Sequence, residues 1–191
     1  MKIGKLRLSS GFLLLMSWLL YRDSSGVIWM GMLACLIHEL GHLAMLHVFK
    51  SSIKEITITA FGAKINFKNQ TSYTEEIIAA AEGPVVNLAA AFLSSRLFIC
   101  PQFAGINLAL AVLNLLPVGP LDGARILYCL AAQFGDEDLA YRVAKCVTFS
   151  FTVFFGLIGS LIALFDGNLT LLLMCIWLLL GTPQEIPANF D

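Results

Sequence analysis

The chain has 191 residues, of which 58% are hydrophobic and 13% charged, with a net charge of −1. A soluble domain carries roughly 25% charged residues, so this composition leaves too little polar surface and points to a multi-span membrane protein. The near-neutral balance, with no basic run, gives no sign of a nucleic-acid partner, and five cysteines without a C-x-x-C pair read as small buried apolar residues rather than a disulfide framework.

Six apolar segments can be drawn. The first, about Leu8–Tyr21, follows Lys2, Lys5 and Arg7 and imitates a signal peptide. No small-residue cleavage site follows it before Tyr21-Arg22-Asp23, so it reads as a retained first span, short and tilted or shallow.

The second segment, Val27–Phe49, contains His38-Glu39-Leu40-Gly41-His42, and Glu39 is its one formal charge. A carboxylate in a membrane span costs ~2.5–3.5 kcal/mol on insertion scales, so a function is expected of it. On a helix, positions 38 and 42 share a face, so both imidazoles can grip one metal ion. Glu39 then stands beside the ion, placed to act on water rather than to ligate. The bland alternative is a pair of core histidines, each needing its own buried partner. His47 reads as an interfacial residue.

Between Lys50 and Thr74, the runs Ile56–Ala60 and Ala63–Phe67 alternate around Phe61-Gly62. This is a β-hairpin pattern over about 53–68 with Gly62 near the bend. It reads either as a surface hairpin tying two spans together or as a sheet edge that pairs with an extended substrate strand.

The third segment, about Glu76–Ser95, is expected to be interrupted at Glu82-Gly83-Pro84. Asn87 places an amide at membrane depth, either as helix–helix glue or as a donor to substrate backbone or a developing oxyanion. Glu82 has no preferred account. The fourth segment, about Phe98–Pro117, leads through Pro117, Gly119 and Pro120 to Asp122. A hydrolytic zinc site takes three protein ligands and keeps one position for water; Asp122 is the candidate third, with the cap of a helix over Gly123–Gln133 as the alternative. The fifth and sixth segments, about Cys146–Phe165 and Leu169–Gly181, carry no plausible ligand and read as packing or a gate.

The positive-inside rule orients this drawing. With the N-terminus cytoplasmic, ten basic residues fall inside and two, Arg22 and Arg96, outside. Both termini are then expected in the cytoplasm, with the histidines toward the cytoplasmic side.

Taken jointly, these motifs resemble the site-2 protease family of intramembrane zinc metalloproteases. His38-Glu39-Leu40-Gly41-His42 fits its H-E-x-x-H motif, Gly83-Pro84…Asn87 fits G-P-x-x-N, and Asn114…Pro117…Asp122-Gly123 fits N-x-x-P…D-G, over roughly Gly26–Ala132. The layout is most similar to the bacterial branch that activates a sporulation sigma factor. The resemblance implies an all-α polytopic fold of about six transmembrane helices with a short β-hairpin between the second and third. The chain reads as a single membrane-embedded domain over 1–191, its metal motifs in 27–49 and 98–123, and is expected to depart from the sporulation branch in having no nucleotide-sensing domain and from the envelope-stress branch in having no PDZ domain. The resemblance further implies a zinc metalloendopeptidase with one Zn²⁺ per chain held by His38, His42 and Asp122. Glu39 would be the proton carrier, and Asn87, Gly62 and Asn114 would meet the substrate. The expected partners are a membrane-tethered protein substrate and the lipid bilayer, with a membrane regulator or a second copy left open. Two other classes stay open. A metal transporter would spread ligands along a path, whereas here they gather at one depth. An inactive metal-binding scaffold would not need Glu39.

Overall fold

The computed structural model describes residues 2–3, 6–8, 20–21, 23–49, 53–59, 62–67, 72–97 and 100–181. Its elements are β1 (Lys2–Ile3), β2 (Leu6–Leu8), α1 (Val27–Val48), β3 (Ile53–Thr59), β4 (Gly62–Phe67), α2 (Tyr73–Arg96), α3 (Pro101–Asn114), α4 (Asp122–Phe134), α5 (Glu137–Asp166) and α6 (Thr170–Gly181). Three of them, α1, α2 and α5, are long and apolar enough to cross a membrane. At 1.5 Å per residue, the 22 residues of α1 reach about 33 Å, close to the hydrocarbon thickness of a bilayer.

Two compact units divide the chain. One comprises Met1–Thr71 with Glu82–Val112, the other Ser72–Ala81 with Leu113–Asp191. In the first, the strands form one sheet in the order β1-β2-β3-β4. β3 and β4 pair antiparallel, Thr59 opposite Gly62, and β2 runs parallel to β3 with Leu6 opposite Ile56. Leu8, expected to open the first span, is therefore a strand residue; the rest of that expected span, at 9–19, lies outside the described residues. α1 starts where Asp23 accepts hydrogen bonds from the backbone N–H groups of Ser25, Gly26 and Ile28. On this helix the polarity is inverted: His38 and His42 are buried while Leu36 and Leu40 are exposed, as a lipid-facing helix requires.

The expected interruption of the third segment does not occur. α2 runs unbroken through Pro84, since proline forfeits a single intrahelical bond and the flanking turns hold the helix. In the second unit, Tyr128, Cys129 and Ala132 of α4 pack with Ala140 and Ala144 of α5, and Tyr73 and Ile77 of α2 close the cluster. Asp136 caps α5 by accepting from the Leu139 N–H at 2.6 Å. The helix thus begins nine residues before the expected Cys146, because its first turns are charged. A Cβ on Gly159 would stand 3.0 Å from the Leu172 nitrogen, so α5 and α6 approach closely there.

Candidate metal centre

His38 and His42 lie one helical turn apart on the buried face of α1. Their rings meet edge to face with centroids 4.6 Å apart, and their Nε2 atoms are 3.1 Å apart. Between them in sequence, Gly41 admits the backbone of α2: a Cβ there would lie 3.1 Å from the Glu82 carbonyl oxygen and 3.2 Å from the Gly83 Cα. Gly83 in turn leaves room for the imidazoles. A Cβ on it would overlap His42 Nε2 and stand 2.9 Å from His38 Cε1. Glu39 is half-buried.

Asn87 is fully buried. Its Oδ1 is 2.7 Å from His38 Nδ1, and its Nδ2 donates to the Ala34 carbonyl at 3.1 Å and to Asn107 Oδ1 at 2.7 Å. Asn107, also fully buried, donates from Nδ2 to the Phe103 carbonyl at 2.9 Å. The expectation that Asn87 donates to substrate or an oxyanion meets this geometry: both of its amide hydrogens are engaged within the protein.

Asp122 opens α4. The cap position belongs to Leu121 and carries no side-chain cap bond, so the capping alternative for Asp122 is not what forms. The preceding segment folds tightly, with Val118 N–H donating to Leu116 O and Leu121 N–H to Val118 O. Gly119 N–H donates to Thr148 Oγ1 of α5 at 3.2 Å. A side chain on Gly123 would collide with the carbonyl oxygens of Leu115 and Leu116. Arg125 pairs with buried Glu76 and stands 3.8 Å from Asp122 Oδ1.

Among the described residues, His38 and His42 offer two imidazole ligands on one buried face of α1, and Asp122, which opens α4 in the other unit, offers a carboxylate. The set fits a catalytic-type zinc ion, since two nitrogens and one carboxylate leave a fourth position open. Zn–N bonds of about 2.0–2.1 Å at a tetrahedral angle put two nitrogens roughly 3.3 Å apart, close to the observed 3.1 Å. Of the other expected residues, Asn114 ends α3 and Gly62 pairs with Thr59 at the start of β4. Asn107, Glu76, Arg125 and Thr148 were not singled out from sequence. A lone amide such as Asn107 in an apolar run is a weak flag of a buried polar contact, and the others carry no local signal.

These features define a class: a pair of metal-ligand imidazoles on the buried face of an apolar helix. The model of Peptidase family M50 matches residues 97–158. Over 135 residues the chain is 28% identical to Stage IV sporulation protein FB of Bacillus subtilis, covering 65% of this chain and 47% of that protein. Over 138 residues it is 30% identical to a putative zinc metalloprotease, sll0528, of Synechocystis, covering 65% and 36%. The chain thus spans about half or less of the length of these relatives. The Site-2 Protease from Methanocaldococcus jannaschii shares the fold, with a TM-score of 0.72 and 22% identity over 98% of this chain and 94% of that one.

Proposed function

We propose that the chain is an intramembrane zinc metalloprotease that hydrolyses peptide bonds of membrane-tethered proteins. The reading rests on one observation: two imidazoles, His38 and His42, with Nε2 atoms 3.1 Å apart on the buried face of an apolar helix long enough to span a bilayer. Those two residues and Asp122 would hold the ion. When bound, zinc supplies Lewis acidity that lowers the pKa of water toward ~7. The Glu39 carboxylate takes the proton from the attacking water and returns it to the leaving amine nitrogen. Gly62, at an end of the sheet, and Asn114, at the end of α3, contact the substrate backbone. The topology that accompanies this reading has six membrane segments, both termini cytoplasmic and the site toward the cytoplasmic side, as the distribution of lysines and arginines suggests.

The test is cleavage of single-span tethered polypeptides by detergent-purified protein and by its Glu39→Gln variant. Cleavage by the wild type that is lost in Glu39→Gln, with metal retained, is expected. Cleavage at the wild-type rate by Glu39→Gln would remove Glu39 from its role.

A further inference from the structure

We infer that Asn87 and Asn107 form a positioning relay that fixes the tautomer of His38 and so presents its Nε2 lone pair to the metal. The inference rests on the metal-site reading above and goes beyond it by assigning two residues that would touch neither metal nor substrate.

The argument is one of donor and acceptor polarity. A backbone carbonyl can only accept. The Phe103 carbonyl, 2.9 Å from Asn107 Nδ2, therefore requires the amide nitrogen of Asn107 on its side and turns Oδ1 toward Asn87. That oxygen in turn requires a donor, so Asn87 faces it with Nδ2. The Ala34 carbonyl, 3.1 Å from the same Nδ2, demands the same orientation independently. Two fixed acceptors, on α1 and on α3, thus agree on one setting of the Asn87 amide, and its Oδ1 is left facing His38 Nδ1 at 2.7 Å.

An amide oxygen can only accept, so Nδ1 of His38 carries the hydrogen. In the neutral ring the lone pair then sits on Nε2. Nε2 is the atom 3.1 Å from His42 Nε2, so it is the nitrogen left to ligate beside it. Flipping either amide would set N–H against N–H or oxygen against carbonyl in a fully buried place, where unsatisfied polar groups are costly. The ring of a free histidine side chain prefers the opposite tautomer in water, so the relay opposes its intrinsic bias. Outer partners of this kind alter metal affinity 10- to 100-fold.

The first readout needs no metal. Nitrogen-15 spectra of histidine-labelled, metal-stripped protein separate the two tautomers, and with three histidines in the chain the His38 ring is assigned by comparison with His38→Gln. Wild type should show Nδ1–H at His38, and Asn87→Leu should lose it. The second readout is zinc affinity by chelator competition. Asn87→Leu should bind 10- to 100-fold more weakly. Asn107→Leu removes one of the two anchors and should weaken binding in the same direction by less; it also serves if Asn87→Leu fails to fold. An Nε2–H tautomer in the stripped wild type, or Asn87→Leu with the wild-type tautomer and affinity, overturns the relay. A wild type that shows Nδ1–H at His38 but binds no zinc overturns the metal-site reading instead and leaves the relay standing.

Discussion

Gly83→Ala separates the packing account of the site from helix propensity. An alanine in a helix interior is ordinarily favoured over glycine by about 1 kcal/mol, so propensity alone predicts a more stable protein. The geometry predicts the reverse for metal binding. A Cβ at position 83 would lie 2.5 Å from His42 Cε1 and 2.9 Å from His38 Cε1, and would overlap His42 Nε2. Non-bonded carbons rest about 3.5–4.0 Å apart, so the His42 ring must move by ~1 Å. The backbone of α2 cannot retreat cheaply, because Gly41 and Gly83 hold α1 and α2 in close contact. Rotating a ring ~30° off its rotamer costs about 0.5–1.5 kcal/mol. Two rings together give ~1–3 kcal/mol, in the range seen for overpacked cores. Metal sites tolerate about 0.2 Å of ligand misplacement, so the strain should appear as zinc affinity reduced by roughly 5- to 150-fold. Chelator competition in detergent measures it, with thermal unfolding of the metal-free protein alongside. Gly156→Ala is the control: its Cβ meets nothing within 4 Å, so it should show the propensity gain and unchanged zinc binding. If Gly83→Ala binds zinc as wild type does and gains stability as Gly156→Ala does, the crowding argument is wrong.

Gly123→Ala should be worse for folding, by ~3 kcal/mol, because its Cβ would strike two backbone carbonyls rather than movable rings; a melting temperature equal to wild type would contradict this. Arg125→Gln and Glu76→Gln should each destabilise by about 2 kcal/mol, the value of a hydrogen bond to a charged group, and a double-mutant cycle should show coupling; additivity within about 0.5 kcal/mol would mean that the pair contributes little. At the start of α1, burial pushes the Asp23 carboxyl up, but hydrogen bonds from Ser25, Ile28 and Gly26 outweigh it and hold the carboxyl below the ordinary carboxylate range. A lowered folded value means that stabilisation is present above the unfolded value and lost as pH falls through the folded one. Amide-exchange protection at Gly26 and Ile28 should therefore persist at neutral pH and fall away in strong acid, and Asp23→Asn should abolish that dependence; an unchanged profile in the variant would exclude Asp23 as the acceptor that holds these groups.

The histidine pair was legible because its geometry is local: residues four apart share a helical face. What the sequence withheld is non-local. β2 pairs with β3 across some fifty residues of chain, Leu6 to Ile56, and three residues are too few for a periodicity to declare a strand. Hydropathy located the apolar part of α5 from Cys146 but not its charged first turns, since it reports the solvent of a helix rather than its extent. Pro84 looked like an interruption, but a proline forfeits a single intrahelical bond and the turns on either side hold α2 together. The spacing of Asn87 suggested an amide at the site, while its orientation became clear only from Asn107, Ala34 and Phe103 around it.

The central claim, a three-ligand zinc site, is tested most directly by metal content. Elemental analysis of detergent-purified wild type, His38→Ala and Asp122→Ala requires no substrate. The account predicts about one zinc per wild-type chain, lost or sharply weakened in both variants. No zinc in a well-folded wild type, or full occupancy retained in Asp122→Ala, would contradict it.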